Sequence, residues 1–189
     1  TDPYRTVVDI ARTSAFRYAL GYVDGLAREY GVEREELRAY AQANCRGLHG
    51  IARAFDVFEH MDGRSDNGGE SEARAAMILA GVAAPELQVE ITRPGNAGYY
   101  LADYGWQMPN GSWMLAELHG LGKFEDDAQN DPEHTAAKTY RAALMRDANL
   151  RAMGHNVIHF KLSDTYDVKA FGSMMRGYGI PTAKPYADS

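Results

Sequence analysis

The sequence has a single cysteine, Cys45, among its 189 residues, so no disulfide can form within the chain. One thiol fits a reducing compartment, and we expect a cytoplasmic protein because disulfides are rare there. Stability must come from apolar burial instead. A hydrophobic content of 45% in a chain of this length is enough for a sizeable core.

Long hydrophobic runs are also missing. No stretch approaches the ~18 apolar residues that a transmembrane helix needs. The first residues, TDPYRTVVDIARTS, lack the charged-then-apolar pattern of a secretory signal. The sequence therefore predicts no membrane partner.

An excess of positive charge is absent as well, because the net charge is −6. Affinity for nucleic acid comes largely from phosphate neutralisation, so this balance argues against a generic cationic binder. It does not exclude an enzyme that acts on DNA. Such an enzyme needs only a local basic strip, and its metal-binding acids add to the negative count.

The sequence lacks the residue spacing of two common kinds of site, the structural zinc site and the P-loop. The histidines have no tight ligand spacing and one cysteine cannot build a thiolate site, which argues against structural zinc. The glycine-rich stretches GLHG, GLG and RGYG lack the P-loop spacing and its Lys-Ser/Thr ending.

The sequence does contain a helical first third. Residues 6–60 show helical periodicity, with Ser14 as an expected N-cap and Gly31 as an expected C-cap of SAFRYALGYVDGLAREYG. The turn-rich stretch MDGRSDNGG then predicts a boundary. We therefore expect a helical lead-in at 1–66, a core at 67–165, and a C-terminal helix with a loose, Pro-containing tail at 166–189. The apolar stripes of the lead-in also suggest a homodimer surface.

The core has a different pattern. A helix begins near Glu70, ELQVEI alternates as a half-buried strand should, and two further strands flank the turn QMPNGS as a hairpin. A long helix and the strand NVIHFKL follow. The order α-β-β-β-α-β predicts an α/β (α+β) fold with a mixed β-sheet flanked by helices.

The predicted hairpin carries two acidic residues that are candidate metal ligands. The first strand is expected to end at Asp103, and Glu117 lies near the end of the second, on the same side as His119 because strand side chains alternate. The two carboxylates are either solvated strand ends or ligands that share a cation. Oxygen ligands of this kind suit Mg²⁺ or Mn²⁺.

Five segments follow one another along the chain: the helical lead-in DIARTSAFRYALGYVDGLAREYGVEREEL, then GESEARAAMILAGVAAPELQVEI, YYLADYGW, AELHGLGKF and RDANLRAMGHNV. In this order they resemble the nuclease-like domain of actinobacterial type IV abortive-infection antitoxin-like proteins, which is related to very-short-patch-repair endonucleases and the PD-(D/E)XK superfamily. The resemblance implies a restriction-endonuclease-like core. It places Glu70, Ser71 and Arg74 on the second segment, Asp103 and Trp106 on the third, Glu117, Gly120, Lys123 and Phe124 on the fourth, and Arg146, Leu150, Arg151 and Gly154 on the fifth.

The resemblance also implies roles. Asp103 and Glu117 would hold Mg²⁺ or Mn²⁺, Lys123 would stabilise charge or position water, and Glu70 would support the site. One position departs from the family, because His119 stands where an Asp is usual. An imidazole can accept a metal or a proton, so His119 is either a ligand or base, or the mark of a lost activity. From its position alone, Glu70 is otherwise a helix N-terminal acid that pairs with Arg74.

Basic residues on the long helix complete the prediction. Lys138, Arg141 and Arg146 approximate one side of it, as either a solvated face or a strip that contacts DNA phosphates. We expect a metal-dependent DNA phosphodiester hydrolase of the endonuclease type. The alternative is a catalytically inactive module of the same fold that binds DNA or protein in a regulator, antitoxin or phage-defence system.

Overall fold

The computed structural model describes residues 2–119, 132–184 and 186, without the side chains of residues 132–137 and 139. The described residues form seven α-helices and four strands, which confirms the mixed α+β class. In chain order they are α1 (Pro3–Thr13), α2 (Phe16–Tyr30), α3 (Arg34–Asn44), α4 (Ile51–Phe58), α5 (Gly68–Leu79), β1 (Glu86–Thr92), β2 (Tyr99–Gln107), β3 (Trp113–His119), α6 (Pro132–Ala152), β4 (Asn156–Lys161) and α7 (Val168–Gly177). None of the helices in these ranges combines the length and apolarity needed to cross a membrane.

The chain forms two compact units. A helical unit comprises Thr1–Ala84 and Thr165–Ser189, and a sheet unit comprises Pro85–Asp164. The second division falls beside the predicted boundary at 165. The first does not coincide with residue 66, because α5 packs against α2 and α7 and so belongs with the helical unit.

The helical unit has its own apolar core. The buried face of α2 presents Phe16, Leu20 and Val23, which pack with buried residues of α1, α3 and α4. Gly31 ends α2 in a left-handed conformation, φ 65°, and confirms the predicted C-cap. Ser14 does not cap α2. Its N–H donates to Ile10 O and so ends α1 instead.

A buried ion pair ties α5 to α2. Arg74 Nη2 lies 2.8 Å from both carboxylate oxygens of Asp24 and also donates to His60 O. Asp24 Oδ1 accepts a further bond from Asp62 N. The expected pairing of Arg74 with Glu70 is therefore wrong, since the guanidinium turns into the core toward Asp24.

The C-terminal segment returns to the helical unit. Asp167 caps α7 by accepting from Ala170 N, and after the helix Thr182 bridges Val82. Ala83 N donates to Pro181 O at 2.9 Å. The tail is thus paired with backbone through these residues, and the expectation of a loose end is wrong for them.

The sheet unit is a four-stranded mixed sheet in the order β1-β2-β3-β4. The first three strands are antiparallel, and β4 runs parallel to β3. In β1 the alternation predicted for ELQVEI is confirmed, because Leu87, Val89 and Ile91 are buried. The predicted hairpin is also present, with Met108 N donating to Ser112 O across the turn.

Strand β2 is longer than the sequence suggested. It continues through Gln107, so Asp103 lies in its middle and not at its end. Gly105 lets the neighbouring strands pack closely at this point. A Cβ there would stand 2.8 Å from Val89 Cγ2 and 3.0 Å from Trp113 Cε3.

Helix α6 connects β3 to β4 and packs on one face of the sheet. Its Leu150 is fully buried in a cluster with Leu115 of β3 and Val157 of β4. Leu115 and Val157 are register partners, so their side chains share that face. Because side chains alternate along a strand, every second residue after Leu115 in β3 and after Val157 in β4 points to the face that α6 covers.

Candidate functional site

Polar side chains gather where β3 and β4 end together. The parallel register continues from the buried pair Leu115 and Val157 to Glu117 beside His159, and then to His119 beside Lys161. These four residues therefore point to the face covered by α6. The carboxyl ends of parallel strands are the usual position for ligands on open sheets of this kind.

The antiparallel register adds Asp103 to this group. Its last pair is Tyr104 with Ala116, and continuing that register by one residue brings Asp103 opposite Glu117. Asp103 Oδ2 accepts a hydrogen bond of 2.8 Å from Leu118 N, which anchors the carboxylate to β3. Two acids on adjacent strands thus lie side by side, which the hairpin pattern allowed but did not fix.

Arg146 of α6 holds the second carboxylate. Its Nη2 lies 2.5 Å from Glu117 Oε1 and also donates to the carbonyl oxygen of Leu101. Both side chains are largely buried, at 23% and 16% exposure. The guanidinium therefore links the helix to β2 and β3 and offsets part of the negative charge of the two acids.

Burial still controls the ionisation of Glu117. Loss of solvation raises the pKa of Glu117, the bond from Arg146 opposes that rise, and the charge of Asp103 adds to it. The balance is a raised pKa, as expected for a buried carboxylate with a second carboxylate beside it. A bound cation would favour the ionised form of both acids.

A histidine pair lies next to the acids. The rings of His119 and His159 stack at 4.7 Å with an interplanar angle of 10°. His159 Nε2 lies 2.7 Å from Asp147 Oδ2, and Asp147 is buried on α6. Partial loss of solvation lowers the pKa of His119, and the neighbouring His159 lowers it further. Both effects favour a neutral imidazole at His119.

The donor set fits a hard divalent ion that keeps most of its own water. Among residues 2–119, 132–184 and 186, no three histidine, cysteine or acidic side chains converge as a ligand cluster. Asp103 and Glu117 therefore supply two carboxylates at most from this part of the chain. Mg²⁺ and Mn²⁺ commonly bind through one or two carboxylates together with water and substrate phosphate oxygens.

The remaining predicted residues belong to different parts of the chain. Lys123 lies outside the described residues. Lys138 and Arg141 are exposed on α6, whereas Arg146 turns inward to Glu117. Glu70 lies in the helical unit, where its carboxylate accepts from Asp66 N and Asn67 Nδ2 at the start of α5. Glu70 N in turn donates to Asn67 Oδ1, the N-cap of α5, so these contacts give Glu70 a structural role at the start of the helix. A supporting role for Glu70 at the Asp103–Glu117 site stays a prediction.

Asp147 and His159 were not among the predicted site residues. The alternation of β4 could have indicated His159, because it lies two residues after the apolar Val157. Asp147 precedes the buried Leu150 by three residues, which is the spacing of one helix face. Neither pattern shows which other element its residue contacts, so only the structure shows that Asp147 and His159 meet.

Comparison with known proteins gives two relatives. They are Uncharacterized protein MT2308 and Uncharacterized protein Rv2248, both of Mycobacterium tuberculosis strains, and each is 36% identical to this chain over 106 residues. The match covers 56% of this chain but only 38% of each relative, so the chain spans far less than two thirds of their length. No family model matches the sequence. No solved structure matches significantly.

Proposed function

We propose that the sheet unit is a metal-dependent phosphodiester hydrolase that acts on DNA. The supporting observation is the register that sets Asp103 beside Glu117, at the ends of the parallel strands β3 and β4. The element order α5-β1-β2-β3-α6-β4 agrees with the order that the sequence pattern predicted.

In this proposal the two carboxylates hold Mg²⁺ or Mn²⁺. The ion supplies an acidified water and offsets charge on the reacting phosphate. Asp103 is oriented by its bond from Leu118 N, so one of its oxygens has a fixed direction. His119, whose lowered pKa keeps it neutral near pH 7, can accept a proton from a water at the site. Lys123 remains proposed to stabilise the charge on the reacting phosphate or to position the water.

Contacts to DNA would come from α6. Lys138 and Arg141 are exposed on this helix and are free of the constraint that ties Arg146 to Glu117. Such side chains bind phosphate with little sequence preference. We expect Lys138→Gln and Arg141→Gln each to weaken DNA binding and to lower the magnitude of the salt slope by about one.

A second candidate is a binding module of the same fold without catalysis. Two observations favour it. Arg146 already pairs with Glu117 at 2.5 Å, which places a cation beside a carboxylate that the hydrolase needs for a metal. His119 replaces the acid that the resembled family usually carries. A module of this kind would keep DNA or protein binding and would not cleave DNA.

Cleavage assays separate the two candidates. The wild-type chain is incubated with plasmid and with oligonucleotide DNA in Mn²⁺, in Mg²⁺ and in a chelator, beside Asp103→Asn and Glu117→Gln. The matched control is Glu90→Gln, which removes an exposed carboxylate from β1 of the same sheet. The hydrolase proposal expects metal-dependent cleavage that only the two site variants lose. Cleavage that persists in both site variants would reject the site, and retained binding without cleavage by the wild type would support the module.

A further inference from the structure

The helical unit contains a cavity that the proposed hydrolase does not use. It has a volume of about 310 Å³ and is lined by Arg17, Tyr18, Gly21, Tyr22, Gly68 and Glu72. These residues come from α2 and from the start of α5, which pack against each other. The volume is at the lower end of the range for small-molecule sites, so the cavity suits a single flat ring system and not an extended ligand.

Aromatic side chains stand at the cavity. Tyr18 and Tyr22 are 58% and 56% exposed and lie one helical turn apart on α2, so they are neighbours on one helix face. Gly21 lies between them in sequence and faces the first residue of α5. A Cβ at Gly21 would stand 3.8 Å from Gly68 O, so the absence of side chains there leaves open backbone beside the two rings.

A fixed polar pair forms another wall. Arg17 Nε lies 2.7 Å from Glu72 Oε1, and the two side chains are only 11% and 20% exposed. Arg17 Nη1 also donates to Thr165 O at 2.8 Å, Arg17 Nη2 contacts Thr165 Oγ1, and the guanidinium lies over the ring of Tyr166. Because these contacts hold Arg17, the carboxylate of Glu72 is held as well. A carboxylate has about four acceptor positions, and Arg17 Nε uses one of them.

We infer that this cavity binds the base of a purine nucleotide, with a preference for guanine. Exposed tyrosine rings can stack on bases, and this stacking contributes to the affinity for any base because every base has a π-face. The Glu72 carboxylate supplies the selection. Guanine presents two adjacent N–H donors on one edge, N1–H and N2–H, which match a carboxylate. Adenine, cytosine and uracil do not have two adjacent donor groups there.

The inference is independent of the proposed hydrolase, because every residue in it belongs to the helical unit. Its consequence is a nucleotide-binding role that would persist in a chain with no cleavage activity. The site could serve a free nucleotide or an unpaired base of a nucleic acid. The shared chemistry is the guanine ring, and the two sources are separated by testing both.

Calorimetric titration with guanosine monophosphate tests the site. The variants are Tyr18→Ala and Tyr22→Ala, and the matched control is Tyr30→Ala, because Tyr30 is a 69% exposed tyrosine of the same helix that does not line the cavity. Each cavity variant is expected to bind at least about fivefold more weakly, the lower end of what one base–aromatic stack contributes. Tyr30→Ala is expected to bind like the wild type. The exposed positions of all three tyrosines make loss of folding an improbable cause, and a thermal melt of each variant verifies this.

The preference for guanine has its own readout. Adenosine, uridine and inosine monophosphates carry the same phosphate, and inosine lacks only the N2 amino group. Glu72→Gln is expected to lose affinity for guanosine monophosphate while affinity for adenosine monophosphate is unchanged. Tighter binding of a short single-stranded guanine-containing oligonucleotide than of the mononucleotide would assign the site to nucleic acid, and the reverse would assign it to the free nucleotide.

Several results would overturn the inference. One is no saturable binding of guanosine monophosphate up to about 5 mM, beyond which affinity is too weak to be specific. Another is an equal loss in Tyr30→Ala and in the cavity variants. Equal affinity for all four mononucleotides would remove the role given to Glu72. Saturable binding of tetramethylammonium without nucleotide binding would replace the base with a quaternary cation on the tyrosine faces.

Discussion

Arg146 Nη2 lies 2.5 Å from Glu117 Oε1, so a cation of the protein's own occupies one side of the carboxylate that the proposed metal would use. The contact links α6 to β3 across the face that carries Asp103 and His159. Its single positive charge offsets part of the negative charge of Glu117 and Asp103. A metal and Arg146 therefore compete for the same negative charge.

Removing this guanidinium should strengthen metal binding. We expect Arg146→Gln to bind Mn²⁺ at least about fivefold more tightly at pH 8, because the attraction between a close pair of unit charges is worth ~1 kcal/mol even in water. Isothermal titration of Mn²⁺ measures this. Arg141→Gln, which removes an exposed arginine of the same helix, should leave the affinity unchanged. Weaker Mn²⁺ binding in Arg146→Gln would mean that Arg146 orients Glu117 for the metal instead of competing with it.

The buried pair of Arg74 and Asp24 should dominate the stability of the helical unit. We expect Arg74→Met to lower the free energy of unfolding by about 3–5 kcal/mol, because it leaves the carboxylate of Asp24 buried without a charge partner. The double variant Asp24→Leu with Arg74→Met should lose less than the single one. Denaturant unfolding measures all three proteins.

The surface provides the control for that experiment. Asp9 pairs with Arg5 and Arg12 on α1, and these side chains are between 21% and 42% exposed. We expect Asp9→Asn to cost no more than about 1 kcal/mol. A cost for Arg74→Met as small as that of Asp9→Asn would show that the buried pair contributes no more than a surface one.

His60 should make stability depend on pH. It packs edge-on against Phe16 and Tyr186, and burial lowers its pKa, with the charges of Arg74 and Arg34 acting in the same direction. As the pH falls through the ordinary histidine range near 6.5, the unfolded chain takes up a proton before the folded one does. The free energy of unfolding should therefore decrease from neutral pH down to the lowered pKa of His60 and level off below it.

The variant His60→Gln cannot titrate at this position. We expect its stability to change less between pH 7.5 and the acidic range than that of the wild type, as measured by urea unfolding at each pH. His49→Gln, at an exposed position, should retain the wild-type profile. An unchanged profile in His60→Gln would assign the acid sensitivity to other groups.

Gly105 should tolerate no side chain. A Cβ would stand 2.8 Å from Val89 Cγ2 and 3.0 Å from Trp113 Cε3 in the buried centre of the sheet. We expect Gly105→Ala to lower the free energy of unfolding by about 1–3 kcal/mol, the usual cost of overpacking. Gly177→Ala at the end of α7 has open space around it and should be neutral or stabilising by less than about 1 kcal/mol. Thermal unfolding measures the melting temperature of both variants. Equal melting temperatures would contradict the expected cost of a side chain at Gly105.

The sequence predicted the local features well. Alternation predicted β1 and the hairpin, and the left-handed conformation at Gly31 follows from a glycine after an apolar helical stripe. The hairpin pattern placed Asp103 and Glu117 on adjacent strands, but the sequence left open whether the register brings the two carboxylates together.

What the sequence could not predict depends on tertiary packing. Arg146 lies one turn before the buried Leu150 and so shares its helix face, whereas Arg141 lies on the opposite side, but the helical pattern alone does not show that Glu117 is the partner of Arg146. Likewise, the meeting of His159 with Asp147 requires β4 to lie parallel to β3, which no local pattern specifies. The position of Arg74 was misjudged for the same reason: its partner Asp24 is fifty residues away in sequence.

The chain leaves the helical unit once, after Ala84, and re-enters it once, at Thr165. Within that unit, Val82 forms an isolated β-bridge with Thr182. The sheet unit is therefore an insertion into the helical unit: the chain segments before and after it belong to one compact unit. Two junctions are enough to exchange this insertion for the corresponding segment of another chain. A deletion from the C-terminus would instead remove α7 from the helical unit and leave all four strands of the sheet in the chain.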